Sequence, residues 1–328
     1  MAVYIRVWID TPLDRILACG FAEYGQIRCA ESAGARVVTL YVLGNGFDLW
    51  HELPTSYDRL YAFAKDILDE IEDYYSFNVA QKGPWCDFEN SLARFDWRSF
   101  YEAHDNTDVT AEDFRQSEVY GLEDDLTAQA DNHVTTVKER FQEWIETIDI
   151  SGASKKLSFG DDDRFFTFNY TATLQFVYGI KNERVFHIHG RSDRMDDLIF
   201  GHGESREEEP ELDENGDSNR TIFSDAEGAA KYPFYAFQKP VDEVLKENRN
   251  RFESQHDVSD IVVIGHSLNE IDLPYFRRLS ECAKDARWNV YYYKCAEKEH
   301  HVQQLMKCGV PAERIQAHSY SHLQSKAR

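Results

Sequence analysis

Four short stretches end in residue types suited to binding or catalysis. Gly44-Asn45-Gly46 follows the apolar run Val38-Thr39-Leu40-Tyr41-Val42-Leu43. A strand that breaks into a glycine turn ahead of a helix can present backbone N–H groups to a phosphate. Without a third glycine, Gly-x-Gly reads equally well as a tight turn that only closes a strand. Asn169 ends the run Arg164-Phe165-Phe166-Thr167-Phe168, His189-Gly190 ends Arg184-Val185-Phe186-His187-Ile188, and Gly265-His266-Ser267 follows Asp260-Ile261-Val262-Val263-Ile264. An amide can orient a substrate or a water, and an imidazole can act as a base near neutral pH. The plainer roles are a turn cap for Asn169 and a structural, hydrogen-bonded His189. His187 and His189 alternate, which puts both on one face of a strand. With His202, His266 and Asp48 or Asp272 they could hold a metal, provided a third ligand is well placed. Asp272 is expected to start a helix, where a carboxylate meets the dipole, and Glu89 to be a solvated helix carboxylate.

The elements that must position these residues alternate. Apolar runs predict strands at 38–43, 164–168, 184–189, 260–264, 288–293 and 314–318. Helical periodicity covers Tyr57 to Tyr75, until Gly83-Pro84 breaks it, and reopens near Trp85. It returns over Val134 to Ile148, over Ala172 to Tyr178 with Thr171 as cap, and over Tyr232 to Phe252. Asp272 to Ala286, with Pro274 in its first turn, and Ala296 to Met306 complete the set. Strands alternating with helices predict an α/β fold with a doubly wound parallel sheet. In such a sheet the carboxyl ends of the strands line the ligand crevice, so all four turns are expected to converge on one site. About ninety residues, at 55–150, read as helical between the first two core strands, far more than a crossover needs. They are expected to be a helical insertion or cap. Residues 1–37 are weakly patterned and read as an N-terminal extension to a domain spanning 38–328. Ile199 to Gly203 reads as a short strand and turn, and the acid-rich run from Glu204 to Asp217 as a mobile surface loop.

Bulk composition narrows the function classes. The 328 residues are 42% hydrophobic and carry a net charge of −23 from 59 acidic and 36 basic side chains. Such a surface repels phosphate backbones and anionic lipid, so direct nucleic-acid binding and a membrane partner are disfavoured. Six scattered cysteines without a C-x-x-C pair argue against a zinc ribbon and fit a reducing cytosol. No stretch approaches the roughly 18 apolar residues needed to span a membrane, and charges interrupt any signal core near the start. A cytoplasmic protein is the expectation.

The motifs also resemble a family. The glycine turn, Leu53-Pro54-Thr55-Ser56-Tyr57, Trp85 to Glu89, Phe166-Thr167-Phe168-Asn169-Tyr170-Thr171, His187-Ile188-His189-Gly190, Phe200-Gly201-His202-Gly203 and Gly265 to Asp272 are similar, in matching order from about Val38 to Tyr293, to the bacterial phage abortive-infection AbiH family. More distantly the series resembles sirtuin-like domains, including those of antiphage effectors that deplete NAD. The resemblance implies a Rossmann-like, sirtuin-like sheet and an antiphage NAD hydrolase. It makes Asn169 and His189 the catalytic pair, and Gly44, Asn45, Gly46, Phe47, Asp48, Thr167, Gly265 and Ser267 the dinucleotide contacts. Phe47 and Asp48 depart from the sirtuin pattern, which prefers a small residue and Ser. A carboxylate suits that position only if it meets a ribose hydroxyl or caps the helix rather than facing the pyrophosphate. The sequence has no four-cysteine zinc module, so no zinc is expected, and hydrolysis fits better than deacylation. Cleaving the nicotinamide–ribose bond passes through an oxocarbenium-like state and needs a positioned ribose, an amide and a base near neutrality. The alternatives are a metal-dependent nuclease-type effector and a non-catalytic nucleotide-binding sensor or assembly module. Homo-oligomerisation and a regulatory or sensor protein partner are expected by resemblance, since a toxic hydrolase must be held inactive at rest.

Overall fold

In the computed structural model, which describes residues 37–77, 85–108, 110–208 and 210–326, the apolar run before the glycine turn is a central strand. β1 (Thr39–Leu43) pairs in parallel with β2 (Arg164–Thr167), and β2 with β3 (Val185–His187). On its other side β1 pairs with β4 (Asp260–Ile264), followed outward by β5 (Arg287–Tyr292) and β6 (Ile315–Ser319). Among the described residues the order is β3-β2-β1-β4-β5-β6, all parallel. The winding direction reverses between β1 and β4, which makes the gap between their carboxyl ends a topological switch point. Leu40, Val42, Ile261, Val263, Trp288 and Val290 bury one face, and Leu43, Phe165 and Ile264 the other. Burial on both faces is why these strands read as continuous apolar runs.

Between β1 and β2 the described chain is helical. α1 (Asn45–Trp50) leaves the glycine turn directly, followed by α2 (Tyr57–Phe63), α3 (Lys65–Glu70), α4 (Phe88–Leu92), α5 (Trp97–His104) and the long α6 (Gln116–Glu146). The single helix expected over 57–75 is divided at Ala64 and Ile71, and both residues are buried in the same cluster as Leu60 and Leu68. α7 (Thr173–Phe176) follows β2, and α8 (Ser224–Ala236) returns to the helical block. Phe234 of α8 and the nearby Phe200 and Phe237 share a core with Phe88, Phe100, Leu126 and Phe141, distinct from the sheet's core.

The helix expected over 232–252 is instead the end of α8, a break, α9 (Val241–Glu247) and α10 (Arg249–Glu253). The break has a cause. The His202 N–H donates to the Phe237 carbonyl and the Lys239 N–H to the His202 carbonyl, and Pro240 cannot continue a helix. The strand expected at Ile199 to Gly203 is reduced to this bridge between His202 and Gln238. α11 (Leu273–Cys282) and α12 (Glu297–Lys307) complete the cover of one sheet face, and α13 (Tyr320–Lys326), not foreseen from periodicity, follows β6. The extension expected at 1–37, apart from Val37, and the Gly83-Pro84 break lie outside the described residues. No described helix is long and apolar enough to cross a membrane.

Candidate functional site

The turns after β1 and β4 pack backbone on backbone. The Gly44 N–H donates to the Ile264 carbonyl (3.0 Å) and the Gly46 N–H to the Gly265 carbonyl (2.8 Å). A Cβ on Gly44 would lie 2.7 Å from the Gly265 oxygen, and one on Gly265, where φ is +69°, would lie 2.3 Å from the Phe47 nitrogen. Glycine is required here because two turns of the backbone approach closer than any side chain permits. One sequence expectation changes: the N–H groups of Gly44 and Gly46, expected to cradle a phosphate, are already bonded within the protein. Asn45 donates from its amide to the Thr55 carbonyl (2.8 Å). Phe47 turns its ring into the core beside His51, at 4.4 Å between centroids, and does not line the cavity.

Asp48 makes no cap bond at the start of α1. Its carboxylate is buried and accepts from the Thr171 hydroxyl (2.6 Å) and the Thr173 hydroxyl (2.9 Å). Burial raises its pKa to about 6, against hydrogen bonds from Thr171, Thr173 and Asn169 that lower it. Thr171 therefore does not cap α7, as the sequence suggested; it ties the β2 turn to α1. Thr167 is also structural: its hydroxyl accepts from the Asn169 N–H (3.1 Å) and fixes the turn.

The four turns converge as expected. A cavity of about 400 Å³ is lined by Gly44, Gly46, Asn169, His189, Gly265 and Ser267, with Asn45 and Asp48 also on its wall. The helical block closes the other side with Phe141, Trp144, Ile145 and Glu89. A larger cleft of about 1230 Å³, lined by Trp50, Tyr293, His301 and Tyr320, adjoins it across Gly46, Gly265 and Ser267.

Asp272 is at the centre of the charged groups. Lys239 Nζ lies 3.5 Å from Asp272 Oδ1 and 3.1 Å from Glu89 Oε1, with its side chain 1% exposed. His189 Nε2 lies 3.7 Å from Asp272 Oδ1, and His266 Nε2 3.4 Å from Asp272 Oδ2. The Leu268 N–H donates to His266 Nδ1 (2.9 Å), which leaves the ring proton on Nε2, facing Asp272. Leu268 takes a left-handed φ of 55° at this point, a strained geometry in a fully buried residue. Burial alone would raise Asp272; Lys239, the His266 hydrogen bond and His189 together outweigh it and hold the carboxyl well below its usual range. Burial likewise opposes the charge on Lys239, and the Glu89 and Asp272 carboxylates overcome it and raise its pKa. Burial, with Lys239 adding to it and Asp272 opposing, pushes His189 down to about 3, so its imidazole is neutral at physiological pH. This is a weaker base than the near-neutral one the sequence suggested. Asn169 Oδ1, His189 Nε2 and Asp272 Oδ1 are buried without a hydrogen-bond partner.

Several expectations are corrected. β3 ends at His187, so alternation does not carry to His189. His187 donates from Nδ1 to the Asn169 carbonyl (3.0 Å) and meets the Gln175 amide through Nε2 (3.1 Å), so it supports Asn169 from behind. His202 is fully buried, bonded to the Phe234 carbonyl (3.0 Å) and the Glu204 N–H (3.2 Å). Among the described residues no group of three or more His, Cys, Asp or Glu side chains is placed to hold a metal ion. Glu89 is not a solvated carboxylate, and Asp272, although it precedes α11, makes no cap bond and turns inward. Lys239 escaped the sequence reading entirely. Its only sequence signal is a lysine ahead of Pro240 where helical periodicity falters.

The family model described as Bacteriophage abortive infection AbiH matches residues 40–292, most of the chain. The match runs from β1 to the end of β5 and includes every residue named for the smaller cavity, while Tyr293, His301 and Tyr320 of the adjoining cleft lie beyond it. No curated protein and no solved structure matches.

Proposed function

Because this chain belongs to the bacteriophage abortive-infection AbiH family, we propose that it acts in phage defence by binding NAD at the switch point and hydrolysing its nicotinamide–ribose bond. One observation carries the reading. The Asn169 amide and the His189 imidazole each present a buried, unpartnered polar atom at a cavity whose Asp272, Glu89 and Lys239 leave one negative charge in excess. In the reaction the C1′–N1 bond breaks and its electron pair leaves with nicotinamide, while positive charge develops on the ribose. A fixed, largely buried carboxylate stabilises that charge without reorganising. Asn169 would hold the ribose or the incoming water, and neutral His189 would accept a proton from a hydroxyl. Water oxygen bonds to C1′ and its proton is released, giving ADP-ribose. The adjoining cleft gives the rest of a dinucleotide room to extend across the switch point.

The low basicity of His189 favours a second reading, a site that binds a nucleotide without cleaving it. Incubating purified protein with NAD, with and without extract from phage-infected cells, separates the two. Released nicotinamide supports hydrolysis; bound NAD without release supports the sensor reading; neither result removes both. An activity abolished by a chelator would favour a metal-dependent effector instead. Homo-oligomer formation and a regulatory partner belong to the same proposal, and light scattering before and after activation tests assembly.

A further inference from the structure

In the proposed chemistry Lys239 enters only through its charge and is given no contact with the reacting atoms. It reaches the cavity from the break between α8 and α9, where the bridge between His202 and Gln238 holds its backbone. A Cβ on Gly201 would lie 1.8 Å from the Phe237 oxygen, so this pairing tolerates no other residue at 201. Its ammonium lies between one carboxylate from the helical block, Glu89 on α4, and one from the sheet domain, Asp272 ahead of α11. A buried lysine is retained only where opposite charges compensate its desolvation.

We propose that Lys239 is the positioning residue of this cavity: clamped by Glu89, its ammonium keeps the Asp272 carboxylate ionised and turned toward His189. The inference rests on this cavity being the functional one, and it does not depend on which ligand enters. The geometry gives Lys239 the shortest ion-pair distance in the cluster, to Glu89 at 3.1 Å, so the ammonium is anchored independently of Asp272. His189 is faced by Asp272, Lys239 and His266 and by the rings of Phe168, Tyr170 and Tyr275. Glu89 is faced by Lys239, Tyr57 and Tyr170. Of these groups Lys239 is the cation, and it depresses protonation of both His189 and Asp272.

Carboxyl-carbon NMR titration of full-length, aspartate-labelled protein tests this. In the native protein the Asp272 carboxylate is held well below the usual carboxylate range. Lys239→Met should raise its proton affinity at least about tenfold, whereas Lys239→Arg, which keeps the charge, should restore the native titration. If Lys239→Met fails to fold, Lys239→Gln in a Glu89→Gln background removes the ammonium without stranding Glu89, and the same rise is expected. An unchanged Asp272 titration in the charge-removed protein overturns the inference, even if nicotinamide is released. A raised titration supports it, even if NAD is never cleaved.

Discussion

Asp48 on α1 and Thr171 beyond β2, 123 positions apart, share a buried hydrogen bond of 2.6 Å that locks the first glycine turn to the turn carrying Asn169. That lock is pH-sensitive. The folded pKa of Asp48, about 6, lies above its ordinary value of 3.8. A raised carboxyl pKa contributes stability that is fully present below about pH 4 and is lost as pH rises through about 6. The loss attributable to this group is about 3 kcal/mol. Urea unfolding of the native protein and Asp48→Asn between pH 4 and 8 should show the native protein losing ground to the variant over that window. A constant difference would show that Asp48 is not buried in this way.

Gly265→Ala and Gly179→Ala separate backbone strain from crowding. Both glycines have nearly the same φ, +69° and +71°, but a Cβ at 179 meets nothing within 4 Å. Gly179→Ala should therefore cost about 1 kcal/mol, the strain alone, and Gly265→Ala at least about 3 kcal/mol, because the turns after β1 and β4 must separate. Unfolding midpoints measure both. Equal costs would mean that the two turns are not in contact.

Asn169→Ala and His189→Ala should each reduce nicotinamide release by about 10²-fold or more if the proposed chemistry is right. Chromatographic product assays, with circular dichroism to confirm folding, provide the test. Folded variants that retain native turnover would remove both residues from the catalytic assignment.

Acid should destabilise the fold through histidines buried in the neutral form. Burial lowers His133 and His187 to about 4 and His189 to about 3. A lowered imidazole pKa leaves stability intact above about pH 6.5 and removes it as pH falls toward the folded value. His133 meets the Tyr75 hydroxyl at 2.9 Å inside the helical block, away from the cavity. His133→Gln should flatten the decline between pH 6.5 and 4 by about 3 kcal/mol. A slope identical to that of the native protein would mean that His133 is solvated.

Much of the fold was legible in the sequence. Parallel strands buried on both faces leave unbroken apolar runs, and β1, β2 and β4 were found that way, whereas β6 carries Gln316 and His318 and has no buried residue. Their alternation with helices implied a doubly wound sheet, and the sheet's geometry implied that Gly44, Asn169, His189 and Gly265 would meet. The fate of the polar side chains was decided only by the tertiary structure. Asp48 reaches Thr171 and Thr173, Lys239 reaches Glu89, and Asp272 turns from the helix start toward His189. Such pairings join distant positions and leave no periodic trace, because periodicity records which face of an element is buried and not which charge lies opposite. The glycine turn shows both parts of this. Its sequence announced a backbone that needs room, and the structure showed that the room is taken by another backbone.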